Sequence, residues 1–180
     1  MKTAENLGAT ALPLDEAHPH GYVTKTIHWL SCGLIAYGHV NALGSVWQLL
    51  DPTVYRNEII FGLLLLAVFS FRLFWTQRIA GVTRLPATSL KWEQTLSRTI
   101  QWGLYASVFG IILSGFAIAI GFSVSAAAFN GGFLSASIGL HRFALGVLPL
   151  LLVMHVAGAL WHKFVRRDGV LESMTGKLPI

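Results

Sequence analysis

The chain has few charged residues, and long runs without any of them exclude most water-soluble folds. Only 12% of its residues are Asp, Glu, Lys or Arg, half of the roughly 25% found in soluble domains. Formal charge is absent from Thr26 to Leu50 and again from Thr99 to His141. About 20 apolar residues suffice to cross a bilayer, and 54% of this chain is hydrophobic. The sequence therefore predicts an integral membrane protein surrounded by lipid.

Cysteine is nearly missing as well. Cys32 is the only one, which excludes an internal disulfide and a metal cage built from several thiolates. The net charge of +5 does not indicate a nucleic-acid partner, because basic residues in membrane proteins collect at the cytoplasmic ends of helices.

Hydropathy predicts an all-α membrane protein with four transmembrane helices. The spans are expected at about residues 26–48, 58–76, 99–121 and 138–165. One helix through the whole uncharged stretch that ends at His141 would be ~65 Å long, twice the ~30 Å bilayer core. The chain must therefore turn within it, near 121–137, and we expect this uncharged turn to contact a partner protein or the membrane interface. Pro149 is a candidate kink in the fourth span.

Charge and composition divide the chain into a flexible polar tail (1–23), the helical bundle (24–168) and a short C-terminal tail (169–180). Basic side chains concentrate between the second and third spans and after the fourth: Arg78, Arg84, Lys91, Arg98, Lys163, Arg166, Arg167 and Lys177. By the positive-inside rule, both termini are predicted to be cytoplasmic.

Histidines in the first and fourth spans are the candidate functional residues, because ionisable side chains within a membrane are costly and usually functional. His28 and His39 lie about three helical turns apart on one face, and His141 and His155 lie about four turns apart on another. In antiparallel helices, His28 and His155 then share the cytoplasmic depth, and His39 and His141 share the outer depth.

Two imidazoles at one depth on facing helices are the geometry that binds haem b through both axial positions. The alternative is that these are core histidines that donate hydrogen bonds to backbone carbonyls. A non-redox bundle of that kind, such as a small transporter or an assembly factor, would be colourless.

Three segments resemble the bacterial cytochrome b561 family, which in turn resembles the membrane cytochrome b subunits of nickel–iron hydrogenases. They are TIHWLSCGL at 26–34, GLLLLAVFSFRLFW at 62–75 and GLHRFALGVLPLLLVMHVAGALWHKFVRRDGVLESMTG at 139–176. The resemblance implies a four-helix bundle in the bacterial inner membrane that binds haem b between its helices and exchanges electrons with quinone.

The resemblance also implies haem ligands at His28, His141 and His155. The second-helix ligand of the family, 14 residues before Arg72, falls on Glu58, and a third-helix histidine falls on Gln101. The cytoplasmic haem is thus expected between His28 and His155.

Three outcomes stay open for an outer, second haem. His39 replaces the absent second-helix ligand; or His141 binds a haem with Glu58, water or nothing opposite it; or the protein binds one haem only. The first of these rests on the depth of His39 and not on the family resemblance.

Two further residues are candidates for the cytoplasmic site. Arg72 lies near the depth of His28 and is expected to pair with haem propionates; alternatively it is an ordinary arginine that extends to the membrane surface. His162, seven residues after His155, is expected to contact a propionate or a quinone oxygen, or else to be a simple interfacial residue.

These observations predict an electron carrier of the respiratory chain that links ubiquinone or menaquinone with a periplasmic or membrane redox partner. The alternatives are a cytochrome b anchor subunit of a larger dehydrogenase or hydrogenase, and an enzyme that oxidises superoxide with quinone as acceptor. The sequence leaves open whether the protein has an enzymatic activity of its own.

Overall fold

The described part of the protein, in a computed structural model, comprises residues 20–80, 85, 89–123 and 131–176. Most of the predicted tail (1–23), part of the basic loop with Arg84, the centre of the predicted turn (124–130) and residues 177–180 lie outside it. Five α-helices make up most of the described chain: α1 Tyr22–Val40, α2 Pro52–Trp75, α3 Lys91–Ser123, α4 Gly131–Trp161 and α5 Val170–Thr175. The described residues contain no strand, as the predicted all-α class requires.

Three stretches are long and apolar enough to cross a membrane: Pro52–Ala80, Lys91–Ser123 and Gly131–Arg166. Helix α1 has 19 residues and carries polar side chains, among them Lys25 and Ser31. The three spans support a membrane protein directly, and a fourth span through α1 stays a prediction.

The helix ends differ from the predicted spans. Helix α1 ends at Val40, where the backbone N–H of Asn41 donates to the carbonyl of Tyr37, and a separate short 3-10 turn follows at Val46–Leu50. The sequence stays free of charge up to Leu50, so hydropathy does not reveal that the helix ends at Val40. Helix α4 begins at Gly131, earlier than predicted, and continues on both sides of Pro149.

Helix α3 begins eight residues before the predicted Thr99, because its charged first turn has local partners. The Leu90 N–H donates to Glu93 Oε2 at 2.9 Å, which satisfies a backbone donor that the helix itself leaves free. The absence of charge marks the part of a helix in the membrane core, and the helix itself extends into the polar interface.

Helices α2, α3 and α4 share one apolar core. Its buried members are Leu65, Phe69, Tyr105, Val108, Ile112 and Leu148. On the outside of α2 and α4, large apolar side chains such as Phe74 and Val153 are more than half exposed. Such a surface is costly in water and is typical of a face in contact with lipid.

Charged pairs connect the end of α4 with the start of α3 and with α5. Helices α2 and α4 both finish in a π turn, at Thr76–Ala80 and His162–Arg166. Arg166 donates to Glu93 Oε2 at 2.8 Å, and the Glu93 side chain is only 4% exposed. A second pair, Lys163 with Glu172, is longer, at 3.7 Å, and its carboxylate is more exposed.

Removing Arg166 is expected to destabilise the protein, because the buried Glu93 carboxylate loses its counter-ion. We predict that Arg166→Met lowers the free energy of unfolding by about 3 kcal/mol. The matched control Lys163→Met breaks the longer pair, whose carboxylate is more accessible to water, and should cost less than about 1 kcal/mol. Thermal unfolding of the purified variants in detergent measures both; equal effects would contradict the structural role of the Glu93–Arg166 pair.

Candidate functional site

Two cavities lie at opposite ends of the helical bundle, and each has histidines in its wall. The larger, the His28 cavity, has a volume of about 430 Å³; the smaller, the His141 cavity, has a volume of about 250 Å³. The His28 cavity is lined by α1, the ends of α2 and α4, the first half of α3 and residues of α5. The His141 cavity is lined by the end of α1, the loop before α2, the start of α2, the second half of α3 and the first half of α4.

In the His28 cavity, α1 and α4 bring two imidazoles together. The ring centres of His28 and His155 are 6.3 Å apart, with an angle of 49° between the ring planes. A metal–imidazole bond is about 2 Å long. Two such bonds on opposite sides of one metal ion, together with the two half-rings, span about this centroid distance. The residues present therefore fit a haem iron between the two helices.

Arg72 of α2 lies beside the same pair. Its guanidinium donates to Nδ1 of His28 at 2.9 Å, since arginine has no acceptor. With Nδ1 accepting, the proton of the neutral imidazole lies on Nε2, and this nitrogen is 3.8 Å from Sγ of Cys32. Arg72 was expected near the depth of His28, and the two side chains are in fact joined by a direct hydrogen bond.

Polar side chains of α1, α2 and α3 connect the walls of the His28 cavity. Trp75 Nε1 donates to Thr24 Oγ1 at 3.1 Å, and the hydroxyls of Thr76 and Tyr105 are 3.5 Å apart. Gln101, at the position where the resemblance would have a histidine, also lies in the wall. The rest of the lining is largely apolar.

Helix α5 closes one end of the His28 cavity. Val170, Leu171 and Met174 belong to its lining, and the Ser173 carbonyl accepts a hydrogen bond from the His20 backbone N–H at 3.2 Å. The predicted C-terminal tail therefore includes a short helix that covers the cavity.

His162 has a different neighbourhood from the one expected. Its side chain is buried, and its Nδ1 is 2.6 Å from Oδ2 of Asp168. Asp168 also accepts from the Val170 N–H at 3.3 Å and so connects the π turn with α5. The lining of the His28 cavity does not include His162, and its contact with a propionate or quinone stays a prediction.

In the His141 cavity, α3 fixes one imidazole. Nδ1 of His141 is 3.0 Å from the carbonyl oxygen of Ile111 and 3.0 Å from Oγ of Ser114. The Ser114 hydroxyl itself donates to the Gly110 carbonyl. Nδ1 of His141 therefore carries the proton, and Nε2 keeps its lone pair for a ligand, which is the usual arrangement of a metal-binding histidine.

Four more charged or titratable side chains line the His141 cavity: His39, Tyr55, Glu58 and Arg142. His39 lies in the last turn of α1, and its side chain is exposed. His39 and His141 are both in the described part of the chain, and no ring contact joins them there. The 3-10 turn before α2 covers this cavity, and Trp47 in that turn packs against Phe122 of α3 at 6.1 Å.

Sequence reasoning missed two contacts of the histidines. Cys32 lies one turn after His28, and this spacing of four residues could have indicated the contact. Ser114 and the Ile111 carbonyl are about 30 residues from His141 in the sequence, and only the packing of α3 on α4 brings them together. Within the described ranges, no three His, Cys, Asp or Glu side chains form a group that could hold a metal ion.

Comparison with known proteins identifies a family. Residues 20–177 match prokaryotic cytochrome b561, which confirms the resemblance seen in the sequence. Neither the curated proteins nor the solved structures yield a match. The family binds haem b and transfers electrons in membranes, in agreement with the apolar helices and the paired imidazoles. The chain therefore belongs to the prokaryotic cytochrome b561 family and is a bacterial membrane cytochrome of the b type.

Proposed function

We propose that the protein carries single electrons through a haem b held between α1 and α4 by His28 and His155. The observation that carries this proposal is the 6.3 Å separation of the two imidazole centres. When haem b is bound, His28 and His155 would supply its two protein ligands. A site without an open position favours electron transfer over binding of oxygen or substrate.

The residues around the pair have defined tasks. Haem b, when bound, supplies a reversible one-electron couple. His28 and His155 provide Nε2 lone pairs and hold the group between two helices. Apolar side chains such as Phe69 and Leu152 exclude water from the cavity, which sets the local dielectric and with it the reduction potential.

Arg72 changes partner when His28 becomes a ligand. A ligating Nε2 has no proton, so the proton of the neutral ring moves to Nδ1, and Nδ1 no longer accepts from the guanidinium. The Arg72 N–H groups are then available to the acidic propionates of the haem. The positive charge of Arg72 would therefore stay at the cavity both without haem and with haem bound.

The proposed membrane arrangement has four spans with both termini in the cytoplasm. At 1.5 Å per residue, α1 is about 28 Å long and can cross the ~30 Å core. The basic residues Lys163 and Arg166 lie at the end of α4, next to α5 and the start of α1. The positive-inside rule places this end, and with it the His28 cavity, at the cytoplasmic side.

Quinone is the proposed exchange partner within the membrane, and a periplasmic or membrane redox protein is proposed at the other side. Support comes from family membership and from the apolar, lipid-exposed outside of the bundle. An anchor subunit of a larger dehydrogenase or hydrogenase would co-purify with that partner. A quinone-linked superoxide oxidase would reduce quinone when only superoxide is supplied.

Loss of either proposed ligand should remove one haem. We expect His28→Ala and His155→Ala each to lower the haem content by about one per chain, because a single remaining imidazole holds the group weakly. His18→Ala, in the predicted N-terminal tail, is the matched control, and the haem content should be unchanged. Pyridine haemochrome analysis of purified protein measures the ratio. Unchanged haem in both cavity variants would refute the proposal.

Removing the charge of Arg72 should lower the reduction potential of this haem, because a nearby positive charge favours the reduced state. We expect Arg72→Gln to shift the midpoint by about −60 mV, a tenfold change in the one-electron equilibrium, and Arg72→Lys to shift it less. Arg78→Gln, on the exposed end of the same segment, serves as control. A potentiometric titration followed in the visible spectrum gives the values; equal midpoints for Arg72→Gln and the control would contradict the role of Arg72.

A further inference from the structure

The two cavities offer iron different sets of ligands. In the His28 cavity two imidazoles meet at 6.3 Å. In the His141 cavity one imidazole is fixed: the Ile111 carbonyl and Ser114 Oγ, each at 3.0 Å, hold Nδ1 of His141 and leave Nε2 for a ligand. This imidazole is positioned as firmly as a metal ligand requires.

The lining of the His141 cavity includes one carboxylate and one guanidinium, those of Glu58 and Arg142. Glu58, from the second turn of α2, contributes a carboxylate there. Imidazole suits iron, whereas carboxylate oxygens suit harder cations such as magnesium, calcium and manganese. Glu58 is therefore a weak ligand for ferrous haem and can act as a polar neighbour of an open position.

His39 shares the cavity but has a less favourable position. It lies one residue before the end of α1, and within the described residues its ring does not contact that of His141, whereas the rings of His28 and His155 do meet. The 3-10 turn that covers the cavity begins only a few residues later.

We propose that the His141 cavity holds a second haem through His141 alone among the imidazoles, and that its iron keeps a position open to a small neutral diatomic ligand in the cavity that Glu58 also lines. Iron with one imidazole and one open position is the arrangement of the oxygen-binding globins, where the polarity of the pocket opposite the histidine selects the ligand. The protein would then combine a saturated haem for electron transfer with a ligand-binding haem. The inference rests on the proposed haem-binding function but concerns the other cavity.

Carbon monoxide, which binds only an open ferrous position, is the probe. Dithionite-reduced wild-type protein should bind about one carbon monoxide for every two haems, measured by titration and difference spectra. Glu58→His adds an imidazole to the lining of the His141 cavity and should abolish carbon monoxide binding with the haem content unchanged. Glu58→Gln, the matched control, should keep it. His141→Ala should lose one haem together with the binding.

Other results would overturn the inference. Two haems without carbon monoxide binding in the wild type would mean that the position is filled, and binding that arises only in His39→Ala would identify His39 as the ligand. A content of one haem per chain that His141→Ala leaves unchanged would show that the His141 cavity binds no haem. Failure of the proposed function itself looks different, since haem would then persist unchanged in His28→Ala and His155→Ala.

Discussion

The meeting of two imidazoles from the first and fourth long helices is the contact on which the functional account depends. His28 and His155 are far apart in sequence, and their 6.3 Å separation shows that α1 and α4 approach each other at these two residues. The core formed by α2, α3 and α4 provides the frame for this contact. Helix α1 joins that frame through Leu34 and Ile35, which pack against the core, and through the hydrogen bonds Arg72–His28 and Trp75–Thr24 to α2.

The two ends of the bundle are built differently, and this difference suits two kinds of site. At the His28 end, the Glu93–Arg166 pair, the His162–Asp168 pair and α5 close the structure with charged side chains. At the His141 end, an uncharged 3-10 turn with the exposed Trp47 covers the cavity. A charged closure suits a haem whose propionates face the aqueous side, and an apolar cover suits the entry of a small neutral ligand from the lipid.

Much of the fold could be predicted from the sequence, because the absence of charge in a membrane span is a strong signal. The pairing of His28 with His155 also followed from helix period and topology alone. Helix ends were predicted less well: at Asn41 a cap stops α1 within an apolar stretch, and at Leu90 a cap starts α3 before the charges end. Such caps depend on individual hydrogen bonds that hydropathy does not report.

The finer parts of the site depend on contacts that no local pattern contains. The carbonyl of Ile111 in α3 contacts His141 in α4. The carboxylate of Asp168 contacts His162 at the other end of the π turn. The sequence left two roles open for His162, a contact with a propionate or quinone and a simple interfacial position, and neither includes this pairing with Asp168. The sequence alone shows a glutamate at position 58 where the family has a histidine. That Glu58 lines the same cavity as His141 is known only from the structure.

Electron paramagnetic resonance of the oxidised protein labelled with ¹⁵N-histidine tests the central claim most directly. The account predicts a low-spin ferric signal coupled to two histidine nitrogens, as expected for iron held by His28 and His155. A purely high-spin signal, or a low-spin signal with only one coupled histidine, would contradict it.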